Sequence, residues 1–208
     1  YNKHFRRVIL KFKKEENRKI YFTSDLHFCH KNILSYDNRP YDTIEEMNRD
    51  IVETWNNIVS ENDIIFLLGD ITLYEKSNTV LSLLKELKGD IYFIQGNHDT
   101  DKAVNFYVEN KVFKKVCSPL QVIEYSLDNT DEGKFTFQLC HYPMLDWWKK
   151  QKGGFQIFGH THGNLKDHDI AQIEISWPVW YRPIEIDEIL VYLTKQQQSL
   201  KTHYHFND

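Results

Sequence analysis

Five short apolar runs in this chain each break off at a residue type that binds metal. KIYFT (19–23) leads into Ser24-Asp25-Leu26-His27, IIFLL (64–68) into Gly69-Asp70, and IYFIQ (91–95) into Gly96-Asn97-His98-Asp99. FTFQLC (135–140) leads into His141, and FQIF (155–158) into Gly159-His160-Thr161-His162. Chains that alternate strands and helices place their chemistry in the crevice at the carboxyl ends of the strands. A fold that gathers these strand ends therefore gathers imidazole, carboxylate and amide at one place. A single histidine after a strand is ordinarily a turn residue; the recurrence carries the argument. Glycines before several of these groups let backbone segments approach closely.

The remaining pattern says what holds the strand ends. VILKF (8–12) and KIYFT read as strands, and a helix begins at YDTIEEM, where Thr43 and Glu46 have capping-box spacing. Ile44, Met47, Ile51, Trp55 and Ile58 recur on one helical face. A second helix starts near Ser77, buries Val80, Leu83, Leu84 and Leu87, and stops at Gly89. A short helix is expected near 101–110 and an amphipathic one over 186–197. The second half is richer in strands: QVIEYSL, KFTFQLCH, GFQIFGH and AQIEIS, with DNTDEG (128–133) as a hairpin turn. Alternation first and strands later predict an α/β fold with two mixed sheets packed face to face and flanked by helices. With 208 residues and no linker-like segment, residues 1–208 read as one domain, 1–19 being a basic N-terminal strand or extension.

Composition excludes several classes. A hydrophobic share of 41% and an aromatic share of 14% fit a packed globule rather than a disordered chain. The net charge of −4 supplies no basic field for gripping duplex nucleic acid. Cys29, Cys117 and Cys140 lie far apart, which suits a reducing interior better than a disulfide framework. No apolar run is long enough to span a membrane. The chain reads as cytoplasmic.

The candidate ligands Asp25, His27, Asp70, Asn97, His141, His160 and His162 include no thiolate. Such a set suits manganese first, with iron, zinc or nickel as other fits, and not a structural cysteine site. It is too large for one ion and right for two that share a carboxylate. Paired ions about 3.5–4 Å apart clamp the oxygens of an in-line displacement at phosphorus.

In order along the chain, D-x-H, G-D, G-N-H-D, a lone His and G-H-x-H resemble the signature of the calcineurin-like metallophosphoesterases, over residues 20–162. The wording FTSDLHFCHKNIL…NRPY and YRPIEIDEIL is similar to the small single-domain bacterial and phage members. The resemblance implies a four-layer α/β/β/α sandwich and two divalent ions. It implies that Asp25, His27 and His162 hold one ion, that Asn97, His141 and His160 hold the other, and that Asp70 bridges them. It further implies that His98 faces substrate and protonates the leaving alkoxide or steadies the phosphate. Asp99 would orient that imidazole, or else cap the following helix.

Other residues carry weaker expectations. His30 stands close to the first block and is a candidate substrate contact. Arg39 and Arg182 each precede a proline and are candidates for phosphate oxygens, the alternative being ion pairs elsewhere. Trp147, Trp148, Trp177 and Trp180 fit a base-stacking groove or ordinary packing. The expected function is hydrolysis of phosphate esters, first as a phosphodiesterase on nucleotides or short nucleic-acid ends. Alternatives are a phosphomonoesterase, a dinucleoside-polyphosphate hydrolase, or an interaction scaffold that lost the chemistry. The expected partner is a small phosphate ester or nucleotide, without membrane or strong duplex binding.

Overall fold

The computed structural model describes residues 8–74 and 76–204, with side chains to residue 196. Its first sheet is built from β2 (Ile20–Thr23), β3 (Ile64–Leu67), β4 (Asp90–Phe93), β5 (Lys115–Val116) and β10 (Ile184–Glu185). The order is β10-β2-β3-β4-β5, parallel throughout except for antiparallel β10. The second sheet is built from β1 (Ile9–Lys13), β6 (Gln121–Ser126), β7 (Lys134–Leu139), β8 (Phe155–Phe158) and β9 (Gln172–Glu174). Here the order is β1-β6-β7-β8-β9, with β6 and β7 forming the expected hairpin around 128–133.

Side-chain alternation assembles these sheets into layers. Ile20, Phe22, Ile64 and Phe66 of the first sheet meet Ile123, Phe137, Leu139, Phe155, Ile157 and Ile173 of the second in one core. Tyr21, Ile65, Leu67, Ile91 and Phe93 point the other way, under helices α2 (Ile44–Ile58), α3 (Asn78–Glu86) and α4 (Asp101–Glu109). Helix α2 begins as its sequence dictates: Thr43 Oγ1 accepts the Glu46 amide at 3.1 Å, while the Glu46 carboxylate accepts the Asp42 amide. Ser77 and Thr100 cap α3 and α4 in the same way. Helix α6 (Ile186–Tyr204) extends beyond the expected 186–197 and sends Ile186, Ile189, Leu190 and Leu193 into the core between the sheets.

Over the outside of the second sheet runs mostly irregular chain, with a single 3-10 turn at Lys150–Lys152. The expected N-terminal extension is described only from residue 8, and residues 1–7 lie outside the described residues. No described helix is long and apolar enough to cross a membrane.

Candidate metal centre

All five chemistry-bearing strand ends meet at one edge of the sandwich. The loop after β2 lies against the loop after β3 through bonds from the Asp25 amide to Gly69 O (3.0 Å) and from the His27 amide to Asp70 O (3.0 Å). Glycine is required where these loops touch. A Cβ on Gly69, at φ +86°, would lie 2.5 Å from Gly96 Cα, and one on Gly159 would lie 2.2 Å from Ser24 Oγ. The candidate ligands themselves are strained. Asp25, His27, Asp70, His160 and His162 all have φ between +49° and +74°. That conformation costs on the order of 1–3 kcal/mol per non-glycine residue and collects at functional sites.

Two donor groups result. Ligand atoms of Asp25, His27 and His162 lie within 4.8 Å of one another, as do those of Asp70, His141 and His160. Asp70 stands between them: its Oδ2 is 3.9 Å from His27 Nε2 and 3.4 Å from His141 Nε2, while its Oδ1 accepts the His98 amide. Asn97 Oδ1 joins the second group, 3.0 Å from His141 Nε2. Ring orientation suits ligation. His141 Nδ1 faces Leu68 O at 2.7 Å and His162 Nδ1 faces Asp37 at 2.7 Å, which leaves both Nε2 atoms for the cup.

The fit of this site to metal rests on His27. Both of its ring nitrogens are buried and have no hydrogen-bond partner. Burial, then the nearby Arg39 charge, pushes its pKa well below the ordinary value, so the ring is a neutral donor. An orphaned, neutral imidazole among buried carboxylates is a donor set that suits a divalent cation. Burial opposes ionisation of Asp25, but the bond from His162 and the charge of His141 outweigh it and hold the carboxyl below its usual value. Burial likewise opposes charge on His162, which bonds to Asp25 and Asp37 nevertheless raise to about 9.

His98 is half exposed at the mouth, its Nε2 3.9 Å from Asp70 Oδ2 and its ring 5.6 Å from that of His27. His30 packs its ring 5.5 Å from His27, and its buried Nδ1 has no partner.

Asp99 and Arg39 stand otherwise than expected, and Arg182 takes the ion pair given as its alternative. Asp99 does not orient His98: its carboxylate accepts the amides of Asp70 (2.7 Å), Ile71 (3.0 Å) and Gly96 (2.9 Å), bracing two ligand loops together. It does not cap the next helix either, since Thr100 does. Burial raises its pKa to about 6, against those amide bonds. Arg39 has a side chain with 0% exposure and turns its guanidinium inward to Asp25 O, Leu26 O and Asp37, not to substrate. Arg182 is paired with Glu188. Of the tryptophans, Trp177 and Trp147 are buried in the cores and Trp148 is partly exposed.

Sequence reasoning passed over Asp37 and Tyr142. Asp37 carried no signal beyond its place in DNRP, two positions before Arg39. Tyr142 directly follows the candidate ligand His141, and its partly exposed ring lies 5.1 Å from His141 and 4.7 Å from His160.

A two-sheet sandwich carries two adjoining His/Asp groups at its strand ends, each with the donors to hold a metal ion. The chain belongs to the calcineurin-like phosphoesterase family, whose model matches residues 18–168. It is 35% identical over 186 residues to the uncharacterized protein MJ1445 of Methanocaldococcus jannaschii, covering 86% of this chain and 93% of that one. It is 26% identical to the gene 66 protein of Mycobacterium phage L5, covering 81% and 91% of the respective chains. Among solved structures, the protein of unknown function AQ665 from Aquifex aeolicus superposes with a TM-score of 0.64 at 25% identity, over 83% of this chain and 98% of that one. Membership of the family implies metal-dependent hydrolysis of phosphoesters.

Proposed function

We propose that the protein holds two divalent cations and hydrolyses phosphodiesters of nucleotides or short nucleic-acid ends. The single observation that carries this reading is the pair of donor groups joined through Asp70, with His98 half exposed beside it. Asp25, His27 and His162 hold one ion, Asn97, His141 and His160 the other, and Asp70 is shared. Manganese fits the donors first, with iron, zinc or nickel as alternatives. Such ions, when bound, supply Lewis acidity toward phosphoryl oxygens and an activated water.

The chain's own residues do the rest. His98, held by its amide to Asp70 Oδ1, delivers a proton to the leaving alkoxide. His30 turns a ring nitrogen toward the non-bridging oxygens. Asp99 keeps the Asp70 and Gly96 loops at fixed separation. With a net charge of −4, the substrate is a small ester or strand end rather than a gripped duplex.

The test is a panel in Mn²⁺: bis-p-nitrophenyl phosphate, p-nitrophenyl phosphate, cyclic nucleotides and dinucleoside polyphosphates. Preference for the diesters is expected. Preference for the monoester or the polyphosphates would replace the diester reading with the corresponding alternative, and silence across the panel would favour an interaction scaffold. EDTA should abolish turnover and Mn²⁺ restore it. His98→Ala should retain both ions and lose about 10²–10⁴ in rate on a substrate with a poor leaving group. Wild-type turnover in that variant would remove His98 from its role.

A further inference from the structure

We infer that Asp37, clamped by Arg39, is a positioning residue that makes the two cation positions unequal, the Asp25–His27–His162 position being the tighter. This rests on the metal-binding reading above and deepens it.

Behind the first donor group stands a charged scaffold. His162 Nδ1 meets both Asp37 oxygens, at 2.8 and 2.7 Å. Asp37 is held in turn by Arg39, whose Nε donates to Oδ2 at 3.1 Å. The same guanidinium donates to Asp25 O at 2.8 Å and to Leu26 O at 3.0 Å, the two carbonyls between Asp25 and His27. One buried cation therefore fixes all three ligands: two through the backbone that carries them and the third through its outer carboxylate. Asn38, between Asp37 and Arg39, adopts φ +49° in this turn. Asparagine tolerates that conformation better than most residues.

In the second donor group Asp99 braces the backbone of Asp70 and Gly96, but among the described residues no carboxylate stands behind the histidine rings. His141 Nδ1 meets an uncharged carbonyl, Leu68 O. Among the described residues no carboxylate hydrogen-bonds the ring of His160, which packs instead on His141 and Tyr142. A carboxylate behind a ligating histidine fixes its tautomer and raises its basicity, and its loss typically costs 10–100-fold in metal affinity.

The experiment is a calorimetric titration of the metal-stripped full chain with Mn²⁺, with circular dichroism and thermal melts as controls. Wild type should bind in two steps of different affinity. Asp37→Asn should weaken the tighter step about 10–100-fold and leave the weaker within about threefold, with Asp37→Glu restoring part of the loss. Two undiminished steps in Asp37→Asn, or equal weakening of both, would overturn the inference while leaving the two-ion reading intact. Fewer than two ions in wild type would instead remove that reading, and this inference with it. A readout free of variants is anomalous diffraction from crystals given one equivalent of Mn²⁺. Its peak should lie among Asp25, His27 and His162, and a peak among Asn97, His141 and His160 would refute the assignment.

Discussion

The two sheets cover their outer faces in opposite ways. On the first, Tyr21, Ile65, Leu67, Ile91 and Phe93 lie under Met47, Ile51, Trp55, Val80, Leu84, Val104 and Tyr107 of three amphipathic helices. On the second, the positions alternating with the core residues include Glu124, Thr136 and the buried Gln138, Gln156 and Gln172, beside apolar Val122 and Phe158. A helix satisfies its own backbone, so an apolar face can receive it. Irregular chain brings unpaired N–H and C=O groups that must find partners. The second sheet supplies them. Gln156 accepts the Met144 amide at 3.0 Å and donates to Tyr142 O at 2.8 Å, and Gln172 donates to Met144 O at 2.7 Å. The buried glutamines of this face thus sit where irregular chain needs partners.

The comparison can be broken or sharpened in order of expected effect. Phe93→Ala empties a fully buried position under the helices and should cost about 3–5 kcal/mol, read as a large drop in urea midpoint. Gln156→Leu should cost about 1–3 kcal/mol, because buried backbone groups lose their partners. It should also speed amide exchange in the segment after His141. A neutral or stabilised Gln156→Leu protein would show that the loops need no amides beneath them, and the contrast would collapse. Thr43→Ala removes the cap of α2 and should cost about 1 kcal/mol, with Thr43→Gly costing only a few tenths of a kcal/mol. The smallest effect concerns the layer shared by both sheets. Burial raises the Cys117 thiol to about 11, so native protein at pH 8 should leave it unalkylated until denatured.

Much of this was legible because local chemistry and the fold agree. Thr43, Ser77 and the spaced apolar residues of α2 and α3 announce those helices, and they form where the pattern puts them. The strand ends were legible because donors after apolar runs have one geometric meaning in an alternating fold. The two-residue strands β5 and β10 and the four-residue helix Trp177–Trp180 carry too little periodicity to be read. Which strands pair, and therefore which face covers Gln156, depends on contacts remote in sequence. Arg39 and Asp99 illustrate the same limit at the site. Their types announced charge, but only burial and three-dimensional neighbours show that both brace the backbone, Arg39 instead of meeting substrate and Asp99 instead of orienting His98.

Each donor group draws on both halves of the sandwich: Asp25 and His27 with His162 in one, Asp70 with His141 and His160 in the other. A captured ion is therefore a rivet through both sheets. Free cation at a hundred times its dissociation constant would add about 2.7 kcal/mol to resistance against unfolding, so the melting temperature of this protein should serve as a gauge of the metal around it.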